Sequence, residues 1–240
     1  MLTFILIMTA TVAVLLTGLR EATKEGAARN EDIFNKRAIL TAIEDKLDGT
    51  VKGMSDDEVI QIFESDMQQV VLDMDGNVVE GKKAEEIDMA VERKKPEPNR
   101  MLPLYIYEGS DSKNYILSVR GNGLWDEIWG NIALESDLNT IAGAAFDHKG
   151  ETPGLGAEIK DNPKFSEQFK GKKIYEDNEY VSVDVVKGGA PAGAEHAVDG
   201  ISGATVTANG VQEMLYRGIQ YYEPYLRQLK QSSMVAKPAQ

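Results

Sequence analysis

The chain has 240 residues, enough for one sizeable domain with its own core plus appendages, and its 42% hydrophobic and 27% charged content fits neither a disordered chain nor a polytopic membrane protein. Lys and Arg total 26 against 39 Asp and Glu, a net charge of -13 that repels phosphate backbones, so nucleic acid is not an expected partner. There is no cysteine, which excludes thiolate zinc, Cys-ligated iron–sulfur clusters, disulfides and a Cys nucleophile, and leaves redox chemistry to an organic cofactor.

Residues 1–19 contain no charged side chain, and Arg20 is the first ionisable one. That length meets the ~17–25 residues a helix needs to cross a bilayer. A basic leading region and a small-x-small cleavage site are both missing, so the segment reads as a membrane anchor rather than a cleaved signal. Arg20, Lys24 and Arg29 would draw the following side to the cytoplasm, although Glu21 and Glu25 are interleaved with them. Residues 20–50 read as a helical stalk, with Ile33, Phe34, Ala38, Ile39 and Ile43 recurring at helical spacing up to about Lys46.

Ser55 with Glu58 is a capping box ahead of Val59, Ile60, Ile62 and Phe63, and predicts a short helix. Val70 to Leu72 and Val78 to Val79 flank Asp75-Gly76-Asn77, a hairpin signal. Residues 82–99, charged and proline-bearing, read as an exposed excursion. Leu102 to Tyr107, Tyr115 to Val119 and Tyr180 to Val186 are strand-like. A helical stripe runs through Val211, Leu215, Ile219, Tyr222, Leu226 and Leu229, with Pro224 expected to kink it or end its first half. The predicted fold is a single α+β domain over residues 51–231, with a mixed or antiparallel sheet and flanking helices, on one N-terminal transmembrane helix; residues 232–240 are expected to be a flexible tail.

Three clusters offer chemistry. Asp199 to Thr207 (DGISGATVT) places glycines and hydroxyls just before the Val211 helix, where unpaired N–H groups and the positive dipole end suit a phosphate. A helix cap built from Thr207 or Asn209 explains the same residues without a ligand. The resemblance of Gly200-x-Ser202-x-Ala204 to a nucleophile elbow fails, because both histidines, His148 and His196, precede the serine. Phe146 to Gly156 contains the tight-turn pair Pro153-Gly154, and its single histidine, His148, beside Asp147 and Glu151 does not amount to an expected metal site. Arg120 to Trp125 lacks the third glycine of a dinucleotide fingerprint, and Trp125 with Trp129 makes either a ring-stacking platform or core.

Together these clusters make the chain similar to the C subunit of the bacterial sodium-translocating NADH:quinone reductase, with its FMN-binding domain. The similarity runs from the N-terminal span and Leu19-Arg20 through Gly121-Asn122-Gly123-Leu124-Trp125, His148 to Ile159 (HKGETPGLGAEI) and Asp199 to Thr207. The resemblance implies that FMN is bound covalently, as a phosphoester on Thr205, with Ser202, Gly203 and Ala204 beside it, and that a separate flavin transferase makes the bond. It further implies flavin contacts from Asn122, Gly123, Leu124 and Trp125 and from Glu151, Thr152, Gly154, Leu155 and Gly156; separately, Lys187, at the end of a strand before Gly188-Gly189, is expected as a cation near the ring. No NADH site is recognisable, so NADH oxidation is expected on a partner in a multisubunit complex in the bacterial inner membrane, with the flavin domain on the periplasmic side of a single span. The alternatives are the G subunit of the related ferredoxin:NAD electron-transport complex, which shares the threonine motif, and an extracytoplasmic binding module without flavin.

Overall fold

The computed structural model describes residues 1–109 and 113–235. Helix α1 (Leu2–Thr41) runs unbroken through the apolar stretch and most of the expected stalk, and ends short of Lys46, which lies in a separate 3-10 turn. Among the described residues it is the one helix long and apolar enough to cross a membrane, and its first half is entirely exposed. The hydroxyls of Thr9, Thr11 and Thr17 donate back to the carbonyls of Ile5, Ile7 and Ala13 at 2.9, 2.8 and 2.7 Å, so they leave no unsatisfied donor in an apolar medium. Burial begins at Ile33 and follows helical spacing through Lys36, Ile39, Leu40 and Ile43, while Phe34 stays largely exposed. Burial works against the Lys36 charge, but the carboxylates of Asp32 and Glu85, the latter at 3.0 Å, outweigh it and hold its pKa above the ordinary lysine value.

Helix α2 (Asp56–Ser65) starts at the expected capping box: Glu58 accepts from the Ser55 N–H at 2.6 Å, and Ser55 Oγ accepts from the Glu58 N–H at 3.3 Å. Strand β1 (Met67–Leu72) then turns sharply at Gly76, but the predicted hairpin shrinks to one bridge between Leu72 and Val78. Gly76 is required there, because it takes φ +80 and a Cβ would lie 2.6 Å from the Tyr225 nitrogen. The 82–99 excursion is not wholly exposed. Ala84 is buried, and helix α3 (Met89–Glu92) buries Glu92, whose carboxylate accepts from Lys95 Nζ at 2.6 Å and the Met101 N–H at 2.9 Å.

Strands β2 (Leu102–Glu108), β3 (Lys113–Asn122), β4 (Glu127–Leu134) and β5 (Ile141–His148) follow β1 in an antiparallel meander, the sheet expected of an α+β domain. Alternate residues face two cores. Tyr105, Ile116, Ala133 and Ala142 meet α1 and α2, whereas Leu104, Leu117, Val119 and Ile132 pack under the C-terminal helices. Helices α4 (Glu158–Asp161) and α5 (Pro163–Glu167) close one end of that second core.

The predicted strand over residues 180–186 is broken. Its start belongs to a small hairpin of β6 (Tyr175–Glu176) and β7 (Glu179–Tyr180), and Ser182 then takes φ +64. Its end, β8 (Asp184–Val186), pairs in parallel with β9 (Ala197–Asp199). Both the Val181 and Ser182 N–H groups donate to the Ile174 carbonyl, which forces the kink. Helix α6 (Thr205–Gln220) is followed by α7 (Glu223–Val235), with Pro224 in the first turn of the new helix, where its missing N–H costs nothing. Helix α7 carries the chain past Ser232 to Val235, and residues 236–240 of the expected tail lie outside the described residues.

The path of α1 fixes where its apolar half leaves the domain. A Cβ on Gly143 of β5 would sit 2.5 Å from the Ala42 carbonyl oxygen. Farther along, Lys160 Nζ is 5.4 Å from the Phe34 ring centre and 2.8 Å from Asp147 of β5. From residue 42 back to 34 is about 12 Å of helix, and from 143 to 147 is about 13 Å of strand. α1 therefore runs toward the His148 end of β5 and leaves the domain there. That same end of the sheet carries the Asn122–Trp125 and Lys149–Gly156 turns.

Candidate functional site

The three glycine-bearing clusters meet around one carboxylate. Glu151 is only 5% exposed, and its Oε1 accepts from the Trp125 backbone N–H at 2.9 Å while its Oε2 accepts from the Thr207 hydroxyl at 2.6 Å. The small residues around it are required by space: a Cβ on Gly123 would lie 2.4 Å from Oε1, and one on Gly156 would lie 2.2 Å from Oε2 and 2.6 Å from Thr207 Oγ1. The Glu151 backbone N–H donates to His148 Nδ1 at 3.1 Å, which ties the turn to the end of β5. The resemblance implies a flavin contact from Glu151; its carboxylate faces inward and ties the other two clusters together.

The helix start also differs from the expected one. Helix α6 begins at Thr205, its N-cap is Ala204 without any side-chain cap, and Thr207 is not a cap but the buried donor to Glu151. Asn209 lies inside the helix and is exposed. The three hydroxyls are therefore distinct. Thr207 is committed to Glu151, Ser202 is exposed on the preceding turn, and Thr205 is half-buried at the first helical position. Among the described residues neither Ser202 nor Thr205 makes a side-chain hydrogen bond, and no acceptor meets the N–H groups of Val206 and Thr207. Unpaired donors and the positive dipole end thus face outward beside the Thr205 hydroxyl.

Around this start lies an apolar rim of exposed side chains: Leu124, Trp125, Leu155 and Val206. Gly203, at φ +80, brings the two halves of the rim together, since a Cβ there would lie 2.9 Å from Leu155 Cδ2. The indole N–H of Trp125 donates to Thr152 Oγ1 at 3.1 Å, fixing a ring that is 69% exposed. Trp129 is elsewhere, on the α1 side of the sheet under the Arg120 guanidinium at 4.8 Å, so the two tryptophans do not form one platform. Beside the rim, a cavity of about 460 Å³ is walled by Gly154, Phe165 and the Asp199–Ser202 loop. Asn122 contributes its backbone, since a Cβ on Gly210 of α6 would lie 2.2 Å from the Asn122 carbonyl oxygen. Lys187 is exposed just after β8, its Cα close to Gly200, and has no ion-pair partner among the described residues.

Thr207→Val should cost about 1–3 kcal/mol of stability, because it strands a buried carboxylate oxygen without its donor. Urea unfolding checks this, and a variant as stable as the native chain would contradict the Glu151 hub.

Residues 123–220 match the family model described as an FMN-binding domain. The chain is 34% identical over 227 residues to the C subunit of the Na(+)-translocating NADH-quinone reductase of Pseudomonas aeruginosa, covering 85% of this chain and 84% of that one. The chain belongs to this C-subunit family. The corresponding protein of Vibrio anguillarum is 44% identical over 131 residues, 54% of this chain; that match spans about half the length, 51%, of the Vibrio relative. The crystal structure of the family member from Parabacteroides distasonis shares the fold, with a TM-score of 0.74 and 36% identity over 85% of this chain and 96% of that one. The family match begins at Gly123 and ends at Gln220, so it contains the Glu151 hub, the rim and the start of α6, and excludes the anchor.

Proposed function

We propose that this chain is the flavin-carrying subunit of a sodium-translocating NADH:quinone reductase, holding FMN as a phosphoester on Thr205 at the outer face of a bacterial inner membrane. The observation that carries the proposal is the start of α6. Its first residue offers an uncommitted hydroxyl beside unpaired N–H groups, so a phosphodiester's remaining charge meets donors there. The apolar rim of Leu124, Trp125 and Leu155 suits an aromatic ring system, with Gly154 open to close approach and Gly156 and Gly203 assigned beside it. The residues present therefore fit FMN, which when bound supplies a centre that takes and gives single electrons or pairs. Ser202, Ala204, Asn122, Gly123, Thr152 and Lys187 are assigned as flavin neighbours on the same reading, and Glu151 as the residue that positions Trp125 and Thr207.

Placement relative to the membrane supports a carrier role. α1 exits at the end of the sheet that bears the rim, so the cofactor site points toward the bilayer and the partner subunits within it. A flavin transferase is the proposed agent of attachment, and NADH oxidation is assigned to a partner. Purified alone, the flavinylated chain should stay oxidised on addition of NADH, whereas in membranes with its partner subunits its visible absorption should bleach. Bleaching of the isolated chain at a turnover rate would overturn the carrier reading. The relative matched over 84% of its own length is a C subunit, which favours this assignment over the G subunit.

Retention of the cofactor by a covalent bond suits a compartment with no FMN pool, which supports the periplasmic side. The chain has no cysteine, so orientation is directly testable. Glu80→Cys, at an exposed turn, should react with a membrane-impermeant maleimide in intact spheroplasts. Labelling only after lysis would place the domain in the cytoplasm.

A further inference from the structure

Pairing between β2 and β3 stops at Leu104–Leu117, whereas β3 and β4 remain paired to Asn122–Glu127. The open side of β3 beyond that point is covered by the 82–99 excursion and by α6, leaving a notch of about 290 Å³. Four arginines line it, Arg93, Arg100, Arg120 and Arg217, with Glu213 as the single lining carboxylate, in a chain whose net charge is -13. Arg93 and Arg120 share Glu127, at 3.7 and 2.7 Å, and Arg217 pairs with Glu213 at 3.1 Å.

Arg100 meets no carboxylate among the described residues. It donates to the carbonyls of Lys95 and Arg93 at 3.2 and 3.1 Å and to the Tyr221 hydroxyl at 3.2 Å, with its guanidinium 5.7 Å from the Tyr221 ring centre. Arg120 Nε is buried and has no acceptor. Positive charge therefore exceeds negative charge around the notch by two, counting four guanidinium groups against Glu127 and Glu213.

We propose that this notch binds a phosphate group. Arg93 and Arg100 at the end of the excursion and Arg217 on α6 line the notch together, and planar guanidinium forks match phosphate geometry. The site is separate from Thr205, because its α6 wall is the later stripe of Gly210, Met214 and Gly218. It lies at the end of the sheet from which α1 departs, so the phosphate of an anionic phospholipid headgroup and free inorganic phosphate are the two sources in reach. Only the lipid source rests on the reading of residues 1–19 as a membrane span.

The test uses the full flavinylated chain in lipid-free detergent, titrated with inorganic phosphate against chloride of equal ionic strength, and then with phosphatidylglycerol or phosphatidylcholine in mixed micelles. Saturable binding of phosphate is expected. Arg217→Gln, at a side chain 67% exposed where folding changes little, should weaken it several-fold or more. Glu213→Gln removes the competing carboxylate and should tighten binding several-fold, a gain that misfolding cannot mimic. Phosphatidylglycerol that saturates at lower concentration and is displaced by phosphate identifies the lipid source; phosphate binding without such competition identifies the free anion. Absence of saturable binding of either probe, or binding insensitive to both substitutions, would overturn the proposal.

Discussion

A Thr205→Val chain, made in cells that flavinylate the native protein, is expected to contain no covalent flavin and to fold as the native chain does. Valine matches threonine in shape and nearly in helix propensity, so the change removes one oxygen and little else. That oxygen has no hydrogen-bond partner among the described residues, and stability should stay within about 0.5 kcal/mol. The band in a denaturing gel should lose all flavin fluorescence while urea unfolding is unchanged. A fluorescent Thr205→Val band would refute the attachment site, and a dark but unfolded one would show a structural role for the hydroxyl.

Gly210→Ala should lower stability. Two effects oppose each other. Alanine is favoured over glycine inside a helix by about 1 kcal/mol. At this position, however, the added Cβ would lie 2.2 Å from the Asn122 carbonyl oxygen, a backbone atom that cannot rotate away. α6 must then lift off β3, and overpacking of this kind costs about 1–3 kcal/mol, so a net loss of up to roughly 2 kcal/mol is expected after the propensity gain. For a domain of this size that lowers the melting temperature by up to roughly 4–8 °C. Because Asn122 leads into the Leu124–Trp125 rim, the visible spectrum of bound flavin should shift as well. A Gly210→Ala protein that melts at or above the native temperature would show that the approach of α6 to β3 is looser than the geometry states.

What could be read from sequence tracks how local each determinant is. The capping box at Ser55 and Glu58, the strands at 102–107 and 115–119, and the stripe of α6 depend on neighbours a few residues apart, and each is found where expected. The break at Ser182 was hidden, because the period-two pattern of 180–186 persists while Ile174 captures two successive N–H groups from outside the segment. The exposed look of the 82–99 excursion misled for the same reason: Glu92 is buried by a partner, the Met101 N–H, that composition does not reveal. Ser232 was set in a tail, yet α7 extends through it.

At the site, glycine content marked the three clusters, and they do come together. Their meeting point was not legible, since the Glu151–Thr207 bond spans 56 positions in the chain and looks in sequence like a ring contact and a helix cap. Gly123 and Gly156 gave the available signal: two glycines whose absent side chains leave room for the same carboxylate.

The most direct test of the central claim is the mass of the flavin-bearing peptide from protein isolated from membranes. Trypsin should release Gly188 to Arg217, which contains Ser202, Thr205 and Thr207 together, so fragment ions must locate the addition. The account predicts a gain equal to FMN less one water, as a phosphoester requires, present in every fragment that contains Thr205 and in none that lacks it. The same gain on Ser202 or Thr207, or an unmodified peptide from protein that still fluoresces after denaturation, would contradict it.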